Sequence, residues 1–225
     1  MDKLVDYLCI IQARVSSSRL PSKVMLDLSG KTLLERVYET VSKSKKIDKI
    51  IVATSIEESD DIIELKCKQN NIEVFRGDLN NVLERFYISS KKYNAKNIVR
   101  ITADNPLMDG SLLDELINTY EQSKKDYSMY TNAIYGLSGE VFSFISLEEA
   151  FHNARDDYDK EHVTPYIRDI KQTHIIDVEE KYRKPQIRAT VDTLEDYINM
   201  QKFFIHCQKN NTITDVNQFI QYQDK

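Results

Sequence analysis

Apolar and polar positions along the first hundred residues alternate between two periods. Short, mostly apolar runs read as strands: Leu8-Cys9-Ile10-Ile11, Ile50-Ile51-Val52-Ala53, Ile72-Glu73-Val74-Phe75 and Ile98-Val99-Arg100-Ile101. Between them lie stretches whose apolar residues recur three and four apart, the spacing of one helix face. These are Thr32 to Lys43 (Leu33, Leu34, Val37, Val41), Asp60 to Lys68, and Asn81 to Tyr93 (Val82, Leu83, Phe86, Tyr87). Strand–helix alternation of this kind predicts a parallel sheet covered by helices on both faces. Right-handed crossovers then gather the loops that follow the strands on one edge.

From about Asp126 the pattern changes. Tyr127, Tyr130, Tyr135, Val141, Phe142 and Phe144 read as strand material broken by Gly136 and Gly139. Helices are predicted at Leu147–Ala154 and Glu161–Ile170, and strands at Ile175–Val178 and Ile187–Val191. A helix from Leu194 to Cys207 opens on Thr193 with Asp196 three residues on, a capping-box pair. A short helix near Val216–Tyr222 closes the chain. There is no repeat, low-complexity tract or linker. The expectation is one α/β domain over residues 1–225, with an aromatic-rich β/α excursion at 127–175 for substrate binding or self-association.

Composition narrows the class. A chain of 225 residues with 41% hydrophobic and 30% charged residues is long enough to bury roughly 72% of its open-chain surface. The net charge of −5 disfavours a nucleic-acid partner. No run approaches the about 18 apolar residues of a membrane span. The start, Met1 to Asp6, carries acids ahead of a short apolar run, unlike a secretory leader. The three cysteines, Cys9, Cys67 and Cys207, are far apart, which fits neither a disulfide framework nor a zinc cluster. A cytoplasmic location is expected.

Ligands of open α/β sheets bind beyond the carboxyl ends of the strands, so the loops there carry the chemistry. The first, Gln12-Ala13-Arg14-Val15-Ser16-Ser17-Ser18-Arg19-Leu20-Pro21-Ser22-Lys23, holds three cations and no acid. Small residues, hydroxyls and fixed positive charge suit a polyphosphate, although a merely solvated basic loop reads the same way. It matches neither the dinucleotide glycine fingerprint nor the phosphate loop ending in Gly-Lys-Ser/Thr. Asp104, after Ile101, and Asp192, after Val191, are acids at strand ends. Each could cap backbone, or the two together could hold a hard divalent ion bound to phosphates. The stretch Phe75-Arg76-Gly77-Asp78-Leu79-Asn80-Asn81 offers close approach at a glycine and donors for a base or sugar.

These loops carry a resemblance. Ile11-Gln12-Ala13-Arg14 with Ser18-Arg19-Leu20-Pro21-Ser22-Lys23 resembles the signature of the cytidylyltransferases that make CMP-activated sugars, the CMP-Kdo and CMP-sialic acid synthetases among them. The likeness is nearest to the branch called spore coat polysaccharide biosynthesis proteins. It extends through Phe75 to Phe86, Val99 to Leu107, Glu161-His162-Val163-Thr164-Pro165-Tyr166 and Thr190-Val191-Asp192-Thr193, from about Tyr7 to Asn199. The resemblance implies a Rossmann-like nucleotidyltransferase domain. It implies that Gln12, Ala13, Arg14, Ser18, Arg19 and Lys23 meet a nucleotide, with Arg14 and Lys23 on its phosphates. Arg76 and Asn81 would border the cytosine, and Asp104 and Asp192 would hold Mg²⁺. Arg100, Glu140, Glu161, His162 and Thr164 fall on the acceptor side. Ser17 and Ser22 stand where that family commonly has glycine, Ala103 replaces a glycine before the aspartate, and Tyr135 to Phe142 lacks the usual proline–aspartate pair.

The reaction so implied is transfer of CMP from CTP to a sugar-like acid or a phosphorylated acceptor, with release of pyrophosphate. Arg14, Lys23, Asp104 and Asp192 are the candidate catalytic residues, and the family implies homodimers. Two other readings stay open. A nucleotide-sugar-dependent glycosyltransferase would want Asp-x-Asp at a strand end, which the loop after Ile101 lacks. A non-catalytic nucleotide-sugar-binding protein would be favoured by the loss of one strand-end acid, yet both are present.

Overall fold

The run from Tyr7 to Ile11 is buried on both faces, as an interior strand of a parallel sheet must be. A computed structural model describes residues 4–224, so Met1–Lys3 of the acidic start lie outside the described residues. Strand β1 (Val5–Gln12) pairs in parallel with β2 (Lys49–Ser55) on one side and β4 (Ala95–Thr102) on the other. Strand β3 (Glu73–Gly77) adds in parallel outside β2. Beyond β4 the direction changes: β6 (Glu140–Ser143) and β5 (Tyr127–Thr131) join antiparallel, and β7 (Thr173–Asp177) pairs in parallel with β5. The result is one seven-stranded, mostly parallel sheet in the order β3-β2-β1-β4-β6-β5-β7. The segment 127–175 is thus largely an extension of that sheet.

Alternate strand residues feed two cores, as the period of a strand requires. Cys9, Ile11, Val99 and Ile101 pack with α1 (Leu33–Val41), α2 (Asp61–Gln69) and α4 (Gly110–Ser123) on one face. That face also takes α8 (Leu194–Asn210) and α9 (Val216–Gln223). Leu8, Ile10 and Ile98 pack on the other face with α3 (Val82–Lys92), α5 (Phe144–Asn153) and α7 (Pro165–Ile170). The capping box read at Thr193 and Asp196 starts α8, and a second, Thr32 with Glu35, starts α1.

The structure departs from the sequence reading in three places. Helix α4, which the strand–helix alternation did not include, carries Leu112, Leu113, Leu116, Ile117 and Tyr120 at helical spacing behind an Asp109 cap. The predicted strand Ile187–Val191 is extended chain with a single bridge, Tyr135 to Arg188. Ala189 and Val191 instead donate to the Tyr135 and Asp104 carbonyls, at 2.8 Å each. The helix expected from Glu161 to Ile170 is two, α6 (Asp157–His162) and α7, broken at Val163 (φ 70°) because Pro165 cannot donate to a preceding turn. No helix among the described residues is long and apolar enough to cross a membrane.

Candidate active site

The carboxyl ends of β1 and β4 open into a cleft of about 700 Å³, bounded across from them by the β5–β6 connection. The basic loop after β1 forms one wall. Its path is fixed from below by Asp60, a fully buried carboxylate that accepts from the Val15 backbone N–H at 2.8 Å, and also from Thr54 and Ser55. The loop closes on itself where Ser22 N–H donates to the Val15 carbonyl. Ser22 adopts φ 58°, the left-handed region that glycine enters most cheaply.

At the head of this loop Lys23, only 9% exposed, brings its Nζ to 2.7 Å from Asp104 Oδ2 and 2.9 Å from Asp192 Oδ1. Arg19 also donates to Asp192, at 2.9 Å, and Arg188 does so at 3.3 Å. Neither Asp104 nor Asp192 accepts a backbone N–H through its side chain; every contact described for the two carboxylates is with a cation. The cap ahead of α8 is Thr193, with Asp196 reaching back to the Asp192 and Thr193 N–H groups. The capping alternative for the two acids therefore falls, and a pair of carboxylates converging on one positive charge remains. Such a pair fits a hard divalent ion, which bound to phosphates takes one or two protein carboxylates. No larger cluster of His, Cys, Asp and Glu suited to a metal occurs among the described residues.

The connection that faces the pair is held tightly. Gly136 (φ +104°) lies so close to Ala189 and Thr190 that a Cβ would meet their backbone atoms at 2.9 Å. Its backbone seats the segment leading to Asp192, and Arg188 stacks over the Tyr135 ring at 4.7 Å. Elsewhere in the cleft Arg100 donates to Gln12 Oε1 at 3.0 Å and to Glu140, which also accepts from Tyr127 and Thr164. Burial opposes the charge of Glu140, but Arg100 and the three hydrogen bonds outweigh it and hold the carboxyl below the usual range. The same burial, with Glu140 adjacent, pushes the Tyr127 phenol far up. Arg14 pairs with Glu161 at 3.0 Å across the cleft mouth, and His162 leans on Tyr158 beside it.

Of the site residues expected from the sequence, all but Arg76, Asn81 and Thr164 line one cleft. Arg76 is turned away: its guanidinium is bound by Asp61, Glu64 and the carbonyls of Ser55 and Glu57. Asn81 spends its side chain on the Glu84 N–H as the cap of α3. Thr164 is buried beneath the surface and acts on Glu140. Arg76 and Asn81, expected at the border of a base, therefore do not line the cleft. The cleft wall at that point is Val82 and Arg85, one turn on. Arg85 is 2% exposed, its Nε has no partner, and burial pushes its pKa down to about 10. The signal for it was a charged residue on the Val82–Phe86 apolar face.

A mostly parallel α/β sheet with a cationic loop and two converging acids at one edge fits a nucleotidyltransferase-type enzyme. The chain belongs to the cytidylyltransferase family, whose model matches residues 8–222. It is 37% identical to the spore coat polysaccharide biosynthesis protein SpsF of Bacillus subtilis, over 88% of this chain and 86% of that one. An uncharacterized protein of Methanocaldococcus jannaschii is 41% identical over 96% and 89%. Among solved structures, a cytidylyltransferase from Leptospira borgpetersenii superposes with a TM-score of 0.83 at 29% identity, covering 92% of this chain and 95% of that one.

Proposed function

We propose that this protein transfers CMP from CTP to an oxygen of a sugar-like acid, giving a CMP-activated precursor for a surface polysaccharide. The observation that carries the reading is the convergence of Asp104 and Asp192 on Lys23 at the head of the basic loop. The polysaccharide context is supported by the name of the Bacillus subtilis relative. In the reaction the acceptor oxygen bonds to the α-phosphorus, the bond from that phosphorus to the bridging oxygen breaks, and pyrophosphate leaves with its electron pair. The hydroxyl proton is released to solvent.

Chemistry of this kind needs in-line positioning and neutralisation of charge more than covalent help. Arg14, Arg19 and Lys23 supply positive charge to the phosphates, and the Ala13–Ser18 loop supplies close backbone approach. Asp104 and Asp192 would hold Mg²⁺, which when bound neutralises phosphate charge and polarises the reacting phosphoryl group. Arg100, set by Gln12 and Glu140, and Glu161 with His162 face the acceptor. The test is pyrophosphate release from CTP, UTP and ATP with Mg²⁺ and a panel of acidic and phosphorylated sugars. Turnover with CTP and an acidic sugar is expected, and Lys23→Ala should weaken CTP binding by about 2–5 kcal/mol, as loss of a close charge contact does. Absence of CTP binding, or wild-type CTP affinity in Lys23→Ala, would refute the assignment.

A further inference from the structure

The Lys23 ammonium stands where a divalent ion shared by Asp104 and Asp192 would have to stand. It is within 3 Å of one oxygen from each carboxylate, and its side chain is nearly buried. Asp192 is met by two further cations, Arg19 and Arg188, so its charge is already compensated without any metal. A divalent ion arriving alone would gain only two protein carboxylates. It would also have to displace a hydrogen-bonded ammonium within a cationic surround, where like charges repel. A polyphosphate changes both terms. Its oxygens give the ammonium another anion to bind, and they complete the coordination that two carboxylates cannot.

We propose that Lys23 is an internal counter-cation that excludes divalent metal from the Asp104–Asp192 pair until a nucleotide draws it away. Metal then enters with the nucleotide, and the empty enzyme holds the two acids together without needing an ion. The inference rests on the metal role given to the two aspartates under the proposed function, but its test uses no nucleotide and no turnover.

Mn²⁺ is the probe, titrated into nucleotide-free protein and followed by the paramagnetic resonance of the free ion. Wild type should bind weakly. Lys23→Met, which keeps length and removes charge, should bind at least about tenfold more tightly, the lower end of what close charge pairs contribute. Lys23→Gln, which retains a donor, covers the case in which the methionine variant does not fold, and it should move the same way. Adding Asp104→Asn to either variant should return affinity to the wild-type level, which assigns the gained site to this pair. Mn²⁺ alone should raise the melting temperature of the Lys23 variants and not that of the wild type. Equal Mn²⁺ affinity in wild type and folded Lys23 variants overturns the counter-cation role, whatever the enzyme does with CTP. Gain of affinity in a protein that never turns over CTP would instead leave the counter-cation in place and remove only the proposed reaction.

Discussion

Replacing Glu140 by glutamine removes one charge from a network that the sheet encloses. Glu140 and Arg100 retain 11% and 15% side-chain exposure, so solvent does little to screen their pairing. In Glu140→Gln the side-chain carbonyl can still accept from Tyr127 and Thr164, but the amide then points N–H groups at the Arg100 guanidinium. Breaking a buried ion pair from one side costs about 3–5 kcal/mol, because the remaining charge stays desolvated. For a chain of this size, with about 2–4 °C lost per kcal/mol, that is a fall in Tm of roughly 6–20 °C by calorimetry at pH 7. The pH dependence gives a second reading of the same charge. The folded-state carboxyl lies below its ordinary value, so its stabilisation is complete above the unfolded value near about 4.3 and is lost as pH falls through the folded one. The gap between wild type and Glu140→Gln should therefore narrow below about pH 4. Removing both charges, with Arg100→Met added, should recover part of the loss. A Glu140→Gln protein melting within about 2 °C of wild type at pH 7 would show that the network carries no net electrostatic stabilisation.

Two other outcomes follow from the cleft. Asp104→Asn and Asp192→Asn should stay folded, since neither carboxylate caps a backbone and each variant leaves Lys23 one carboxylate partner, yet both should lose most activity, with partial rescue by high Mg²⁺ or by Mn²⁺; full activity in either variant by pyrophosphate release would remove the metal pair. Gly136→Ala should lose about 1–3 kcal/mol by denaturant unfolding, because it adds backbone strain at φ +104° and pushes a methyl group onto Ala189 and Thr190, and it should raise KM as Asp192 shifts; unchanged stability and KM would mean that the two segments part freely.

The regular part of the fold was legible because its signals are local. Mostly apolar runs mark β1, β2 and β4, and the start of α8 follows from the Thr193–Asp196 box, while its end lies at Asn210, three residues past the last apolar position, Cys207. Helix α4, with its Leu112–Tyr120 stripe behind the Asp109 cap, lies beyond Ile101, where the strand–helix alternation of the first hundred residues ends. The segment expected as a strand at Ile187–Val191 alternates apolar and polar in sequence, and its Ile187, Ala189 and Val191 are buried, with Thr190 as well. What it lacks is a partner of more than one residue, and pairing is a tertiary property that alternation does not encode.

The site divides along the same line. Lys23, Asp104 and Asp192 could each be read as a candidate, but one sequence position at a time an acid at a strand end is as good a cap as a ligand. Lys23 in isolation reads as an exposed loop cation, cheap to replace. Placed in the fold, each settles the others: a buried ammonium needs anions, two carboxylates aimed at one point need a cation, and Thr193 has already satisfied the α8 N-terminus. Arg76 and Arg85 show the converse. The donor next to a glycine looks like a ligand and is consumed by Asp61 and Glu64, while the arginine set on an apolar helix face looks like a misfit and reaches the cleft. A charge that violates its local pattern is costly to bury, and here the fold keeps it buried at the wall of the cleft with its Nε unpartnered.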